Sequence, residues 1–393
     1  MIQGWEKAGR EKAAAERADG KTGEDPRKPP LQHPEYVKAP LTRRAFVRRA
    51  LAATGLGAGA AYLALAPEHW PGSLRDGTGL RSKPVHKPFR LPDYRVAKPA
   101  GSPDVAIGRG FGGSIGGDGA AASPGGASPD RVMATPAALN LRKALDALGG
   151  ISHYIRPGDV VLVKPNVAFD RSPNLGATTH PDILEALVRM LLVDARAAEV
   201  RVADNPIESP ADCFAKSGVG RAAETAGGRV YLPDGNAFRM LHTPGAELIE
   251  SWWFFQRPLA GVNKVIGVAP AKDHNLCQAS LGIKNWYGLL GGRRNQFHQR
   301  IHQIVSDLSI MIRPTLTIVD GTRVLMRNGP TGGDPTNVKA GDAVLAAVDP
   351  VAQDAWAYEH LLERTDAPPE YLKLAEAKGS GKRDYRGRIR EVT

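Results

Sequence analysis

The sequence has little cysteine. Its 393 residues include only Cys213 and Cys277, which stand far apart and form no CxxC pair. Cysteine-rich metal sites, disulfide scaffolds and an iron–sulfur cluster bound by this chain alone are therefore excluded. We expect both cysteines to be packing residues. The apolar fraction of 42% is ordinary for a globular protein, so wholesale disorder is excluded as well.

The central part of the chain also lacks an excess of positive charge. The formal net charge is +11, but residues 101–373 carry 27 Lys and Arg against 28 Asp and Glu. The excess lies in residues 1–100, with 19 against 10, and in residues 374–393, with six against three. A nucleic-acid-binding protein normally concentrates positive charge on its folded surface. We therefore expect no nucleic-acid partner.

The N-terminal region has the order of an export signal. Arg43 and Arg44 precede an uncharged stretch over residues 50–66 that is rich in Ala and Gly. A basic segment before a modest apolar one is typical of signal peptides, and adjacent arginines indicate the twin-arginine type. We therefore expect export to the periplasm by the twin-arginine translocation machinery. The alternative is a short buried helix with a basic start. Residues 50–66 are fewer than the ~20 apolar residues of a spanning helix, so a cleaved form and a membrane-anchored form both stay open.

Composition divides the chain into four segments: a leader with the signal over residues 1–66, a Pro-rich basic linker over 67–103, an α/β domain over 104–365 and a basic tail over 366–393. Gly108, Gly110 and Gly113 fit the GxGxxG pattern of dinucleotide-binding folds. That pattern requires a helix to begin at once, whereas more glycines and two prolines follow here. We interpret this stretch as a loop and expect no such cofactor.

Strand and helix patterns alternate through the domain. Short apolar strands are predicted at 160–163, 199–203, 265–269, 316–319 and 343–348, and helices at 134–148, 181–192, 301–312 and 350–362. Such alternation predicts an α/β fold with a mainly parallel sheet and helices on both faces.

Polar side chains follow each of these five strands. They are Lys164, Asn166, Asp204, Lys272, His274, Asp320 and Asp349. Ligands of open α/β sheets bind beyond the carboxyl ends of the strands, so we expect these residues to share one edge. Asp349 also precedes Pro350, as a helix N-cap would.

Several motifs in order resemble a known family. They are Lys164-Pro165-Asn166, Thr178-Thr179-His180-Pro181-Asp182, Ala203-Asp204, Ile283-Lys284-Asn285-Trp286-Tyr287-Gly288 and Asp349-Pro350-Val351-Ala352. Over about residues 104–365 the chain resembles the family called domain of unknown function 362, a name that implies no reaction. Many relatives carry a ferredoxin-like cluster domain, whose cysteines this chain lacks. More distantly, a lysine followed by a glycine turn and a histidine is similar to the nickel-pincer lactate racemases, although their paired-histidine motif is not visible.

Side-chain chemistry gives each candidate a predicted role. Ammonium and imidazole groups bind anions and carry protons, so the predicted catalytic residues are Lys164, His180, His274 and Lys284. The predicted substrate contacts are Asn166, Thr178, Lys272 and Asn285. The predicted ligands of a divalent metal such as magnesium are Asp204, Asp320, Asp349 and His298. His298 and His302 are four residues apart and would share one face of a helix, as metal ligands or as polar surface residues.

Two functions follow from these expectations. The first is an exported enzyme, dependent on an unidentified cofactor or metal, that acts on a small anionic substrate. The second is a non-catalytic binding or maturation protein of an exported redox complex. The second predicts that the aromatic residues 252–255 form an exposed docking surface and that His180, His274 and Lys284 lie too far apart to cooperate. The sequence favours the first, with residues 252–255 in the core.

Overall fold

A nine-stranded sheet forms the centre of the protein. The computed structural model describes residues 88–111 and 129–393. The strands are β1 (Val105–Gly108), β2 (Val160–Lys164), β3 (Glu199–Ala203), β4 (Arg229–Tyr231), β5 (Phe238–His242), β6 (Ser251–Phe255), β7 (Lys264–His274), β8 (Gln278–Ser280), β9 (Leu316–Leu325), β10 (Val338–Ala347) and β11 (Ile389–Val392). The sheet has the order β11-β1-β10-β9-β7-β2-β3-β4, and β8 pairs with the end of β7. β5 and β6 form a separate antiparallel hairpin.

Helices surround this sheet. They are α1 (Pro129–Met133), α2 (Pro136–Ala147), α3 (Ile151–Tyr154), α4 (Pro181–Arg189), α5 (Pro210–Lys216), α6 (Val219–Thr225), α7 (Gly282–Asn285), α8 (Ile301–Met311), α9 (Pro350–His360) and α10 (Glu370–Ala377). Side chains alternate across a strand, so neighbours in β2 enter different cores. Val161 and Val163 pack with α2 and α4, whereas Leu162 packs with α8 and the β5–β6 hairpin. The predicted α/β fold with helices on both faces is confirmed.

Two strands of the sheet run antiparallel to the rest, β8 beside β7 and β10 between β9 and β1. β2, β3, β4, β7 and β9 are parallel, but β10 pairs antiparallel with β9 and with β1. Ala347, near the end of β10, lies opposite Thr317, near the start of β9. Asp349 therefore lies at the amino-terminal edge of the parallel strands. The prediction that it shares the site edge was wrong, because an antiparallel strand points its carboxyl end the opposite way.

The strands also extend beyond the predicted ones. β7 continues from residue 269 to His274, and its end forms a hairpin with β8. β9 continues from residue 319 to Leu325. Lys272, His274 and Asp320 were expected in loops after strands, but they lie within strands.

Both ends of the described chain pack on the domain. In the predicted linker, Tyr94 is buried and its carbonyl accepts a hydrogen bond from Thr315 Oγ1 at 2.8 Å. The predicted tail over 366–393 contains α10 and β11, and β11 pairs with β1, so this segment is part of the fold. The predicted signal over residues 1–66 lies outside the described residues. Within the described ranges, no helix is long and apolar enough to cross a membrane.

Candidate active site

The candidate site lies where β2, β3 and β7 end. β2 is hydrogen-bonded to β3 on one side and to β7 on the other, with all three parallel. Lys164 is the last residue of β2, Asp204 follows β3 directly, and Lys272 lies near the end of β7. Parallel strands end at the same edge, and the sheet therefore brings these three side chains together.

Lys164 and Asp204 form a fully buried ion pair. Lys164 Nζ lies 2.8 Å from Asp204 Oδ1, and both side chains are 1% exposed. The other carboxylate oxygen, Asp204 Oδ2, accepts a hydrogen bond from the Val167 amide at 2.7 Å. Burial lowers the pKa of Lys164 to about 8, against the opposing attraction of Asp204. Lys164 is therefore still mainly protonated at neutral pH.

Two asparagines connect this pair to Lys272. Asn285 Oδ1 accepts hydrogen bonds from Lys164 Nζ at 2.7 Å and from Asn166 Nδ2 at 3.2 Å. Asn166 Oδ1 in turn accepts from Lys272 Nζ at 3.1 Å, and the carbonyl of Ala177 accepts from the same Nζ at 2.7 Å. The four predicted residues Lys164, Asn166, Lys272 and Asn285 thus form one buried network.

Burial also weakens the hold of Lys272 on its proton. Burial, together with the positive charges of Lys284 and Lys164, lowers the pKa of Lys272 well below its usual value. Its hydrogen bonds go to neutral oxygens in the part of the chain that the structure describes. A negative charge placed beside Lys272 would therefore favour its protonated form.

A buried carboxylate fixes the short helix α7, which carries Lys284 and Asn285. Asp354 Oδ1 accepts from the Gly282 amide at 2.8 Å, and Oδ2 accepts from the Ile283 amide at 3.1 Å. These are amides of the first turn, which have no partner inside a helix. Burial raises the pKa of Asp354 to about 7. Asp354 was not among the predicted site residues, because α9 also carries Gln353 and Glu359 and nothing in the sequence sets Asp354 apart.

The cluster opens toward solvent beside Lys284. Lys284, Gly288 and His298 are half-buried, whereas Lys164 and Lys272 are fully buried. The Gly288 backbone lies against the ion pair, and a Cβ on this residue would be 2.0 Å from Asp204 Oδ1. Lys284 is therefore the most exposed of the three lysines.

The hydrogen bonds of His274 and His180 define their neutral tautomers. His274 Nδ1 accepts from the Leu276 amide, and His180 Nδ1 accepts from the Asp182 amide, both at 3.1 Å. A ring nitrogen that accepts carries no proton, so the Nε2 atoms of both rings are donors. Burial is the main reason that the pKa falls to about 2 in His274 and about 3 in His180. At neutral pH both rings are therefore uncharged and donate a hydrogen bond through Nε2. Neither is placed to accept a proton, because the Nδ1 lone pair of each ring already accepts a hydrogen bond from a backbone amide.

His298 has the opposite tautomer. Its Nδ1 lies 3.0 Å from the carbonyl oxygen of Asn295, which only accepts, so Nδ1 carries the proton and Nε2 has a free lone pair. Burial lowers its pKa below the usual value. The ring stacks on His274 with centroids 6.4 Å apart and contacts the Tyr287 ring at 5.4 Å. His298 is thus the histidine of this cluster that can accept a proton.

His298 and His302 do not form a pair. His298 lies in a short 3-10 segment, whereas His302 lies in α8, which begins at Ile301. The backbone leaves helical geometry between them at Arg300, with φ −132° and ψ 53°. His302 stacks instead on Tyr371, with ring centroids 6.4 Å apart. The expectation that the two histidines share one helix face was wrong, because the helix does not run through both.

The predicted metal ligands do not converge. Asp204 pairs with Lys164, and Asp320 accepts from Thr322 Oγ1 at 2.7 Å and the His180 amide at 3.3 Å. Asp349 caps α9 and pairs with Arg388 at 2.6 Å on the opposite edge of the sheet. The described ranges contain no group of three His, Cys, Asp or Glu side chains arranged to hold a metal ion.

Two buried polar atoms at the site have no hydrogen-bond partner within the described part of the chain. They are His274 Nε2 and Thr178 Oγ1. Thr178 follows Ala177, whose carbonyl contacts Lys272, and His274 lies two residues beyond Lys272 on the same face of β7. An unpaired buried donor costs about 1–3 kcal/mol, and a ligand with acceptor oxygens would satisfy both atoms.

Residues 161–359, about half of the chain, match the family described as Domain of unknown function (DUF362). The chain therefore belongs to the DUF362 family. This confirms the resemblance found in the motifs, and the match includes the whole lysine–asparagine network.

Individual relatives of this DUF362 protein are distant. The Thylakoid-associated protein sll1697 of Synechocystis is 26% identical over 216 residues, which are 51% of this chain and 63% of that protein. Among solved structures, the lactate racemase apoprotein of Thermoanaerobacterium thermosaccharolyticum is 13% identical with a TM-score of 0.30, over 67% of this chain and 57% of that chain. A Thermotoga maritima protein is 13% identical with a TM-score of 0.26, over 57% and 55%. Both TM-scores are too low to support a functional comparison.

Arg294 is a further site residue of this DUF362 protein that sequence analysis missed. Its guanidinium is buried and donates to the carbonyls of Tyr287, Leu290, Asn205 and Pro206 at 2.6–3.2 Å. It thereby connects the end of β3 to the segment after α7. Nothing in the sequence distinguishes it from Arg293, which is exposed.

Proposed function

We propose that this DUF362 protein is an enzyme that binds a small carboxylate or phosphate and moves a proton on it. The observation that carries the proposal is a cluster of three lysines with one carboxylate. Lys164, Lys272 and Lys284 lie around Asp204, which Lys164 already engages. Buried charges are normally paired, so this arrangement favours an anionic ligand.

The proposed anion-binding group consists of Lys272 and two nearby atoms that lack a hydrogen-bond partner among the described residues. An ammonium group and the donors Thr178 Oγ1 and His274 Nε2 match the oxygens of a carboxylate or phosphate. A bound anion favours the protonated form of Lys272, so we expect the protein to take up a proton when the anion binds. The affinity for the anion should therefore fall as the pH rises.

The proposed proton acceptor is His298. Its free Nε2 lone pair and lowered pKa make it a neutral base at pH 7, and His274 beside it offers a proton donor. We assign no metal to these residues, since the three predicted carboxylate ligands already have other partners. The proposal therefore rests on general acid–base chemistry.

The alternative proposal is a non-catalytic binding or maturation protein. It needed an exposed aromatic surface at residues 252–255, but Trp252, Phe254 and Phe255 are buried. It also needed His180, His274 and Lys284 to lie too far apart to cooperate. The charge of Lys284 contributes to the lowered pKa of His274, so these two are neighbours, whereas His180 contacts Asp182 and Asp320. These two observations favour the enzyme.

Calorimetric titration with phosphate, L-lactate and pyruvate tests the binding part. Lys272→Met keeps the length of the side chain and removes its charge, so we expect at least about tenfold weaker binding. The matched control is Lys339→Met, at an exposed lysine. Equal affinity in Lys272→Met and wild type, or no saturable binding of the three anions, would overturn the proposal.

Deuterium incorporation in heavy water tests the proton transfer. We expect deuterium at the carbon next to the carboxylate with the wild type and none with His298→Phe.

We also propose export by the twin-arginine route. The support is the order of Arg43, Arg44 and the uncharged residues 50–66, and the relative in Synechocystis is named for its association with a membrane system. Fractionation of the native host expressing the tagged full chain tests it. Arg43→Lys with Arg44→Lys should leave the protein in the cytoplasm, while Arg48→Lys with Arg49→Lys should not. Equal distribution of both double variants would overturn the route.

A further inference from the structure

Lys284 differs from the other lysines of the site in its contacts. Lys164 pairs with Asp204, and Lys272 donates to two oxygens. For Lys284, the described residues provide no ion pair and no hydrogen bond. Its Nζ lies 5.4 Å from the centroid of the Tyr287 ring, on the half-buried side of the cluster.

The surroundings of Lys284 disfavour its charged form. Burial lowers its pKa, and Arg294 adds to this lowering against an opposing effect of Cys277. The charge of Lys284 in turn contributes to the lowered pKa of Lys272 and of His274, so these groups are close neighbours. A desolvated lysine beside other cations is the arrangement that makes an amine nucleophilic at neutral pH.

The position of this amine is also fixed. Asp354 holds the first two amides of α7, and Asn285, the residue after Lys284, is tied to Lys164 and Val268. A reactive group must be held close to its productive geometry to be effective. The helix that carries Lys284 is anchored at both of its ends.

We propose that Lys284 reacts with the carbonyl group of a small 2-oxo acid and forms an imine. This proposal rests on the proposed anion site and names its ligand class: the carboxylate lies against Lys272, and the ketone or aldehyde carbon lies at Lys284 Nζ. For a 2-oxo acid, the carboxylate takes Lys272 and Thr178 Oγ1 as donors, and the carbonyl oxygen takes His274 Nε2.

The reaction balances without a redox partner. The Nζ lone pair attacks the carbonyl carbon, a C–N bond forms, and His298 Nε2, which contacts the Tyr287 ring as Lys284 does, carries one proton from Nζ to the carbonyl oxygen to give a hydroxyl group. The nitrogen lone pair then forms the C=N bond as the C–O bond breaks, and His298 transfers the second Nζ proton to the departing hydroxyl. Amine and carbonyl thus give imine and one water molecule.

Reductive trapping tests the proposal. The full-length protein is incubated with pyruvate and cyanoborohydride, and labelled peptides are identified by mass spectrometry. Burial lowers the pKa of Lys284 and so increases its fraction of free amine at neutral pH relative to an exposed lysine. We therefore expect Lys284 to be labelled at least about tenfold faster than the exposed Lys339.

Two comparisons make the result decisive. Lys284→Arg should lose the adduct while keeping the wild-type melting temperature, and Lys339→Arg should retain the adduct. L-Lactate, which has a hydroxyl in place of the carbonyl, should slow labelling without forming an adduct.

Labelling that is spread evenly over surface lysines, or that is unchanged in Lys284→Arg, overturns the imine. If pyruvate binds saturably and Lys272→Met weakens it while no adduct forms, the imine is wrong and the anion site stands.

Discussion

Lys164 and Asp204 form an ion pair of 2.8 Å in which each side chain is 1% exposed. The two residues come from neighbouring parallel strands, and Asp204 also binds the amides of Val167 and Asn205. The pair thus holds the ends of β2 and β3 in register and gives the Lys164 ammonium a buried counter-charge.

Removing the charge of Asp204 should destabilise the protein strongly. Asp204→Asn leaves the Lys164 ammonium buried without a counter-charge, and breaking a buried pair costs about 3–5 kcal/mol. Denaturant unfolding of the full chain measures this loss. The control is Asp384→Asn, which removes a pair with 75% exposed partners and should change stability by less than about 1 kcal/mol. Similar small effects for both variants would contradict the structural role of the pair.

A side chain at Gly288 should disrupt the site from the backbone side. In Gly288→Ala the new Cβ would lie 2.0 Å from Asp204 Oδ1 and 2.7 Å from Lys164 Nζ, distances that force the pair apart. We expect loss of anion binding and a lower melting temperature. Gly220→Ala, whose Cβ would have its nearest neighbour at 3.3 Å, is the comparison. Wild-type anion affinity in Gly288→Ala would show that the ion pair does not shape the site.

The neutral state of His274 should make the protein sensitive to acid. The pKa of His274 is about 2 in the folded protein, whereas an ordinary histidine has a pKa of 6.5. At a pH between these two values, the unfolded chain therefore binds one more proton than the folded protein. Stability from this group is therefore present at pH 7 and lost as pH falls below about 6.5. Between pH 7 and pH 5 the loss is about 2 kcal/mol.

His274→Asn isolates this contribution, because Asn Oδ1 can replace Nδ1 as acceptor for the Leu276 amide and has no titration. When the pH falls from 7 to 5, we expect the free energy of unfolding of the wild type to fall by about 2 kcal/mol more than that of His274→Asn. Nitrogen NMR should also place the imidazole proton on Nε2 in His274 and on Nδ1 in His298. A parallel pH dependence in both proteins, or the reverse tautomers, would refute this assignment.

The C-terminal segment should contribute to stability through Arg388. Its Nε lies 2.9 Å from Asp104 Oδ2, and one terminal nitrogen lies 2.6 Å from Asp349 Oδ2, so it joins β1 to the N-cap of α9. Arg388→Ala should lower the free energy of unfolding by about 1–2 kcal/mol. Arg386→Ala, at a 75% exposed side chain, should have little effect. Equal, negligible losses would instead support a loosely attached tail.

Local patterns were enough to predict the parallel part of the fold and the core of the site. Apolar strands followed by helices predicted β2, β3 and α4, because each pattern depends on residues close in sequence. Lys164, Asp204 and Lys272 could be placed together for one reason: parallel strands covered by crossover helices end at one edge. Asp349 was also recognised as a helix N-cap, and its side chain accepts from the Val351 and Ala352 amides.

The tertiary structure decided the features that depend on distant partners. The direction of β10 leaves no trace in strand periodicity, and this direction moved Asp349 to the opposite edge. The chemical roles of the histidines were equally hidden. Whether a ring nitrogen donates or accepts depends on which backbone group lies beside it, such as the Leu276 amide for His274 and the Asn295 carbonyl for His298. Sequence supplied the residue types at this site, whereas packing determined their protonation and their partners.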